Sequence, residues 1–161
     1  MPHLNAARNL ARWLARDPDV ADDIVQDAVL RAFRAFDALR GEAKPWLLAI
    51  VRNCHRTTMR QRTRRSLVPL PEPDEETEEL TAADEDPEAR AIRSDHRRKL
   101  DDLVASLPLD FRETLILKEM EDLSYREIAQ ATGVPIGTVM SRLARARALL
   151  REKWRYGHDM Q

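Results

Sequence analysis

One cysteine, Cys54, is all the chain contains, so an internal disulfide is excluded, and no Cys/His set has the spacing of a zinc site. Glycine is scarce, at four residues, and runs of alternating β-branched residues are missing, which argues against a sheet. No apolar run approaches the roughly 18 residues needed to cross a bilayer. The N-terminus lacks the apolar segment of a signal peptide. There is no nucleophile beside a base, no glycine-rich phosphate cradle and no metal-ligand cluster, so no enzyme activity, metal or cofactor is expected. A reducing cytoplasm is the expected location.

What remains is 161 residues, 43% hydrophobic and 34% charged, a balance suited to a folded, largely helical protein. The formal net charge of −1 conceals a strong segregation. Residues 1–66 carry 13 Lys/Arg against 7 Asp/Glu, residues 67–88 carry 10 Asp/Glu and no Lys/Arg, and residues 89–161 carry 14 against 11. Two basic blocks around an acidic one suggest two nucleic-acid-facing modules. The acidic block holds Pro69, Pro71, Pro73 and Pro87. Prolines and like charges together predict an extended linker. The expected fold is therefore all-α, with two small helical domains over 1–66 and 89–161 joined by an acidic, proline-containing linker over 67–88.

Apolar spacing predicts three helices in the first module. The first spans Leu4 to Ala15, with Leu4, Ala7, Leu10, Ala11 and Leu14 inward, and is interrupted by Pro18. The second runs from about Val20 to Leu39, with Ile24, Ala28, Ala32 and Phe36 buried and Leu30 flanking them. The third runs from about Trp46 to Arg64, apolar first and basic later. Trp46 opens an apolar run and is expected in the core, whereas His55 is expected to be exposed. Four helices are predicted in the second module, over Glu88 to Leu107, Asp110 to Met120, Ser124 to Thr132 and Ile136 to Trp154.

The segment LSYREIAQATGVPIGTVMSRLARARALL has the chemistry of a helix-turn-helix. Ser124 with Glu127 forms a capping box. Ala129 is small where two helices cross, Gly133 can adopt the left-handed backbone that ends a helix, and Val139 supplies an apolar wedge. Val139, Leu143, Ala146 and Leu150 repeat at helical spacing, while Arg142, Arg145, Arg147 and Arg151 fall largely on other faces. A recognition helix needs that division between a buried stripe and a DNA-facing one.

From Leu123 to Leu150 the chain resembles region four of the extracytoplasmic-function (ECF) sigma factors of the sigma-70 family. The likeness rests on Ser124-Tyr125, Glu127-Ile128-Ala129, Gly137-Thr138-Val139, Ser141-Arg142-Leu143 and Arg145-Ala146-Arg147. The first module resembles region two, through the segment Ala21 to Asp27 and through Trp46 to Asn53. This resemblance implies that the chain binds core RNA polymerase, recognises minus-ten and minus-thirty-five promoter elements and promotes DNA melting. It places Asp22, Asp23, Gln26 and Asp27 on the polymerase. It places Arg52, Asn53, Arg56 and Arg60 on the minus-ten strand, with the loop from Asp37 to Lys44 holding a flipped base. Lys118, Thr138, Met140, Ser141, Ala144, Arg145 and Arg147 match positions that face the minus-thirty-five element. Met140 and Ala144 depart from a common pattern of basic and bulkier residues, so groove shape and methyl contacts are expected to share in the readout. Little chain precedes Leu4, so the first helix is expected to be clipped relative to relatives. The resemblance also implies an anti-sigma factor as partner. Two rivals are a sigma-like decoy that sequesters an anti-sigma factor and a helix-turn-helix regulator that acts without polymerase. The first should lack the DNA-facing arginines, and the second leaves the first module unexplained.

Overall fold

A computed structural model describes residues 2–65 and 87–159, in which seven α-helices and one 3₁₀ turn occur and no strand is found among the described residues. The linker expected over 67–88 lies outside the described residues, except for Pro87 and Glu88, which open a helix.

Helix α1 (Leu4–Ala15) buries Ala7, Leu10, Ala11 and Leu14, the stripe read from its spacing. It stops at Arg16, whose φ is 60°. Asp17 then caps α2 (Pro18–Arg34), accepting the Asp19 N–H at 2.9 Å. Pro18 is thus the first residue of α2 and not merely an interruption, because the first turn has no use for the N–H that proline lacks. Helix α2 also ends earlier than expected. A separate 3₁₀ turn, Phe36–Ala38, follows it and leaves Phe36 exposed. Leu30 is likewise outside the core. It lies two positions from both Ala28 and Ala32, roughly 200° around the helix from each, and so off the buried stripe.

Helix α3 (Ala43–Arg65) starts a few residues before Trp46, since Pro45 is tolerated in a first turn. Trp46 is partly buried against the core. His55 corrects the expectation of exposure, as only 1% of it is accessible. Leu47, Leu48, Val51, Cys54 and His55 form one continuous helical stripe. Near its His55 end the stripe feels the charges of Arg112 and Glu113 of the second module.

The second module comprises α4 (Pro87–Ala105), α5 (Leu109–Glu119), α6 (Tyr125–Thr132) and α7 (Ile136–Asp159). Helices α5, α6 and α7 pack on one another, as α1, α2 and α3 do, and α4 lies on α7. The two modules also touch one another. Helix α1 packs on α4 and α5, α3 packs on α6, and one cluster of buried side chains runs through both modules, from Leu10, Ile24 and Leu48 to Ile116, Ile128 and Leu143.

Candidate nucleic-acid and polymerase interfaces

The turn between α6 and α7 is built by local hydrogen bonds. The Ser124 hydroxyl accepts the Glu127 N–H at 3.1 Å, and the Glu127 carboxylate accepts the Ser124 N–H at 2.9 Å. Gly133 ends α6 at φ 72°, a backbone that disfavours any side chain, and its N–H bonds the Ala129 carbonyl. Pro135 and its carbonyl then start α7. Val139, Leu143 and Ala146 are buried, and Leu150 is partly so. This pins α7 and turns Met140, Ser141, Ala144 and Arg145 to solvent as one contiguous face. Arg145 has no ion-pair partner among the described residues.

The remaining residues expected at the minus-thirty-five element lie around that face with other engagements. Thr138 is half-buried, and its carbonyl accepts the Ser141 hydroxyl. Arg147 pairs with Glu119 at 2.5 Å, which holds its guanidinium above the ordinary pKa, yet both side chains stay solvent-accessible. Lys118 sits 4.8 Å from the centroid of the Tyr125 ring and donates to the Leu123 carbonyl, bracing the turn.

The cations expected at the minus-ten strand are arranged differently. Arg60 is exposed on the distal part of α3, and Asn53 is exposed with its side-chain oxygen 3.3 Å from an Arg52 nitrogen. Arg52 and Arg56 instead reach across to α5. Arg52 Nε donates to Glu113 at 2.8 Å, and Arg56 holds both Glu113 oxygens, at 2.9 and 2.8 Å. Arg56 also donates to Asp110 at 2.6 Å. These bonds raise the Arg56 pKa, and the bond from Arg56 depresses that of Asp110. Lys44, in the first turn of α3, donates to the Glu121 carbonyl at 2.8 Å.

A third surface lies on α2. Asp22, Asp23 and Gln26 are exposed, while Asp27 is half-buried and pairs with Arg31 at 3.2 Å. Further along, Leu30 and Phe33 are 57% and 72% exposed. Asp23, Gln26, Asp27, Leu30 and Phe33 follow one another at helical spacing, so the acids and the apolar residues form one strip.

Residues 1–65 match the family model for sigma-70 region 2, and residues 97–150 match that for sigma-70 region 4. The chain is 31% identical over 154 residues to the ECF RNA polymerase sigma-E factor of Haemophilus influenzae, covering 89% of this chain and 78% of that protein. It is 34% identical over 143 residues to the ECF RNA polymerase sigma-E factor of Escherichia coli, covering 81% and 72%. The chain belongs to the ECF sigma factors of the sigma-70 family. Among solved structures, the sigma factor RpoE in complex with the anti-sigma factor NepR from Bartonella quintana superposes with a TM-score of 0.75 at 29% identity, over 92% of this chain and 89% of that one.

On this sigma factor the apolar pair Leu30 and Phe33 is the feature that the sequence reading left out. Both were available as large apolar residues one helical turn beyond the acidic patch, but spacing alone assigned Leu30 to the flank of the core. The Cys54 thiol is buried, and burial pushes its pKa up to about 11, so it stays protonated and unreactive at neutral pH. Among the described residues, no group of three or more His, Cys, Asp or Glu could hold a metal, and no helix is long and apolar enough to cross a membrane.

Proposed function

We propose that this sigma factor docks on core RNA polymerase through the α2 strip and reads the minus-thirty-five element with the exposed face of α7. The observation that carries the reading is that α7 leaves Met140, Ser141, Ala144 and Arg145 free on a helix pinned by a complete helix-turn-helix. Thr138, Lys118 and Arg147 border that face. Arg52, Asn53, Arg56 and Arg60 follow the single-stranded minus-ten segment, whose capture offsets an unstacking cost of a few kcal/mol. Domains over 1–66 and 89–161 would carry the two activities, joined by 67–88. The chain performs no covalent step itself and needs no cofactor, because polymerase supplies the nucleotide chemistry. A cytoplasmic location follows from that partnership. The solved relative bound to an anti-sigma factor supports a protein of that kind as a further partner.

The test is reconstitution. Added to bacterial core polymerase, the purified chain should give run-off transcript from its cognate promoter, on which core alone is silent. Absence of product from folded protein on an established cognate promoter would favour the decoy. Specific promoter binding with no polymerase present would favour a simple regulator.

Arg145→Ala should weaken binding at the minus-thirty-five element by roughly 1–3 kcal/mol if the guanidinium grips a base edge. If Arg145 holds only phosphate, the loss should be similar for all sequences and the slope of affinity against salt should fall. Titration of both cognate and scrambled duplex at several salt concentrations separates the two. Unchanged affinity and slope would remove Arg145 from the interface.

A further inference from the structure

The face that α7 turns to solvent holds Gly137, Met140, Ser141, Ala144, Arg145 and Ala148, set beside one another at helical spacing. For a surface that meets base edges it offers few hydrogen bonds. The Ser141 hydroxyl gives its one proton to the Thr138 carbonyl at 3.0 Å, so outward it can only accept. Arg145 is the remaining side-chain donor of the face. Everything else on it is apolar or small. Met140 is 52% exposed and is not among the side chains packed on the core, although its neighbour Val139 is buried. Ala144 follows Met140 by one turn, and Gly137 precedes it by three residues. Glycine inside a helix carries an entropic cost that alanine avoids. Neither backbone nor neighbours ask for it at 137: its φ is not positive, and a Cβ there would meet nothing within 4 Å. A bare stretch of helix beside Met140 lets a second molecule come close.

Along the major groove the base edges present donors and acceptors, and one apolar group, the C5 methyl of thymine. 5-Methylcytosine carries the same methyl on the same ring carbon. An unbranched, polarisable thioether side chain can settle on such a methyl without a fixed geometry. A cationic side chain at the same place would seek a base oxygen or nitrogen, or phosphate. We propose that Met140, with Ala144 one turn on, reads the C5 methyl of a pyrimidine in the minus-thirty-five element. In unmodified DNA thymine supplies that methyl. Where the position is cytosine, methylation supplies it, and promoter binding then depends on the methylation state of that base. This rests on the reading of the outer face of α7 as the minus-thirty-five surface.

The test uses holoenzyme assembled from the full chain and core polymerase, on cognate promoter duplex held too cold to melt. Each thymine of the minus-thirty-five element, in either strand, is replaced in turn by deoxyuridine, which removes the methyl and keeps the base pair. At one or two positions affinity should fall about fourfold, what the burial of one such carbon is worth. Met140→Ala should bind the unaltered duplex more weakly and lose nothing further with uridine at those positions, whereas Met140→Leu should keep the uridine effect. At the sensitive position, 5-methylcytosine should bind more tightly than cytosine in the unaltered protein and no more tightly in Met140→Ala. Met140 is exposed, so circular dichroism should be the same for all three proteins. No uridine effect at any position would overturn the proposal, as would an equal effect in Met140→Ala. A uridine effect with no methylcytosine effect would overturn its methylation half. A scrambled minus-thirty-five element tells which reading has failed. If scrambling weakens binding and uridine does not, α7 reads the element by other contacts. If scrambling changes nothing, the minus-thirty-five assignment of α7 is wrong and the methyl contact falls with it.

Discussion

Replacing both Asp23 and Asp27 with lysine is expected to abolish promoter-specific run-off transcription while the chain remains folded. Asp23 is exposed, and Asp27 is half-buried, where it pairs with its exposed neighbour Arg31 and lies against the Cys54 thiol. An exposed pair of this kind is worth at most about 1 kcal/mol, so the loss of stability should be small. At a protein interface, by contrast, truncating one partner of a hydrogen-bonded charge pair costs about 2–5 kcal/mol, and two reversals add repulsion to that loss. Assembly should fall by about three orders of magnitude or more, seen as failure to co-purify with core polymerase. Phe33→Ala provides a second, independent reading. Its ring is 72% exposed, so its removal should leave the urea midpoint unchanged and still weaken assembly if the apolar strip is part of the same surface. Normal co-purification of the double lysine variant would move the polymerase contact off this face of α2.

His55 should make the sigma factor acid-labile. Its imidazole is 1% exposed, and burial lowers its pKa to about 4 from the usual 6.5. The nearby Glu113 and the Leu14 backbone oppose that shift without reversing it, and the Arg112 and Arg56 charges add to it. Because the folded pKa is the lower one, the unfolded chain takes up the proton first as the pH falls. The full contribution is present above pH 6.5 and is lost progressively down to about pH 4, a total of roughly 3 kcal/mol. Other groups overlay this slope. Asp110, depressed by Arg56, loses its contribution as the pH falls through its lowered pKa. Glu121, raised by burial, acts in the opposite sense and is relieved by acid. Urea unfolding between pH 7.5 and 4.5 should therefore be compared in the unaltered chain and in His55→Met. The difference between the two profiles should widen toward alkaline pH across the window and then level off. Parallel profiles would show that the ring does not resist protonation.

Much of the second module was legible because its determinants are local. Ser124, Glu127 and Gly133 act over three or four residues, and the stripe Val139, Leu143 and Ala146 is a matter of helical spacing. The first module yielded less. Asp17 and Pro18 form a start signal that a periodicity argument passes over, and the break after Arg34 sends Phe36 outward. The arginines are the deeper case. Arg56 meets Glu113 across 57 positions of chain, and nothing near Arg56 in sequence announces that partner. His55 fails for the same reason, since its surroundings include Leu14 of α1 and charged residues of α5, all distant in sequence. Spacing reports which residues share a face of a helix, and not what that face meets.

The single buried cluster spanning both modules also leaves a calorimetric signature. If the sigma factor must open to assemble, apolar surface held between the modules is hydrated before polymerase covers other surface. Hydration of apolar area raises the heat capacity and its burial lowers it. The two contributions would partly cancel, so the heat-capacity change of assembly should be smaller than the area of the final interface implies. In a variant whose modules are already apart that cancellation should disappear, and the enthalpy of assembly should depend more steeply on temperature.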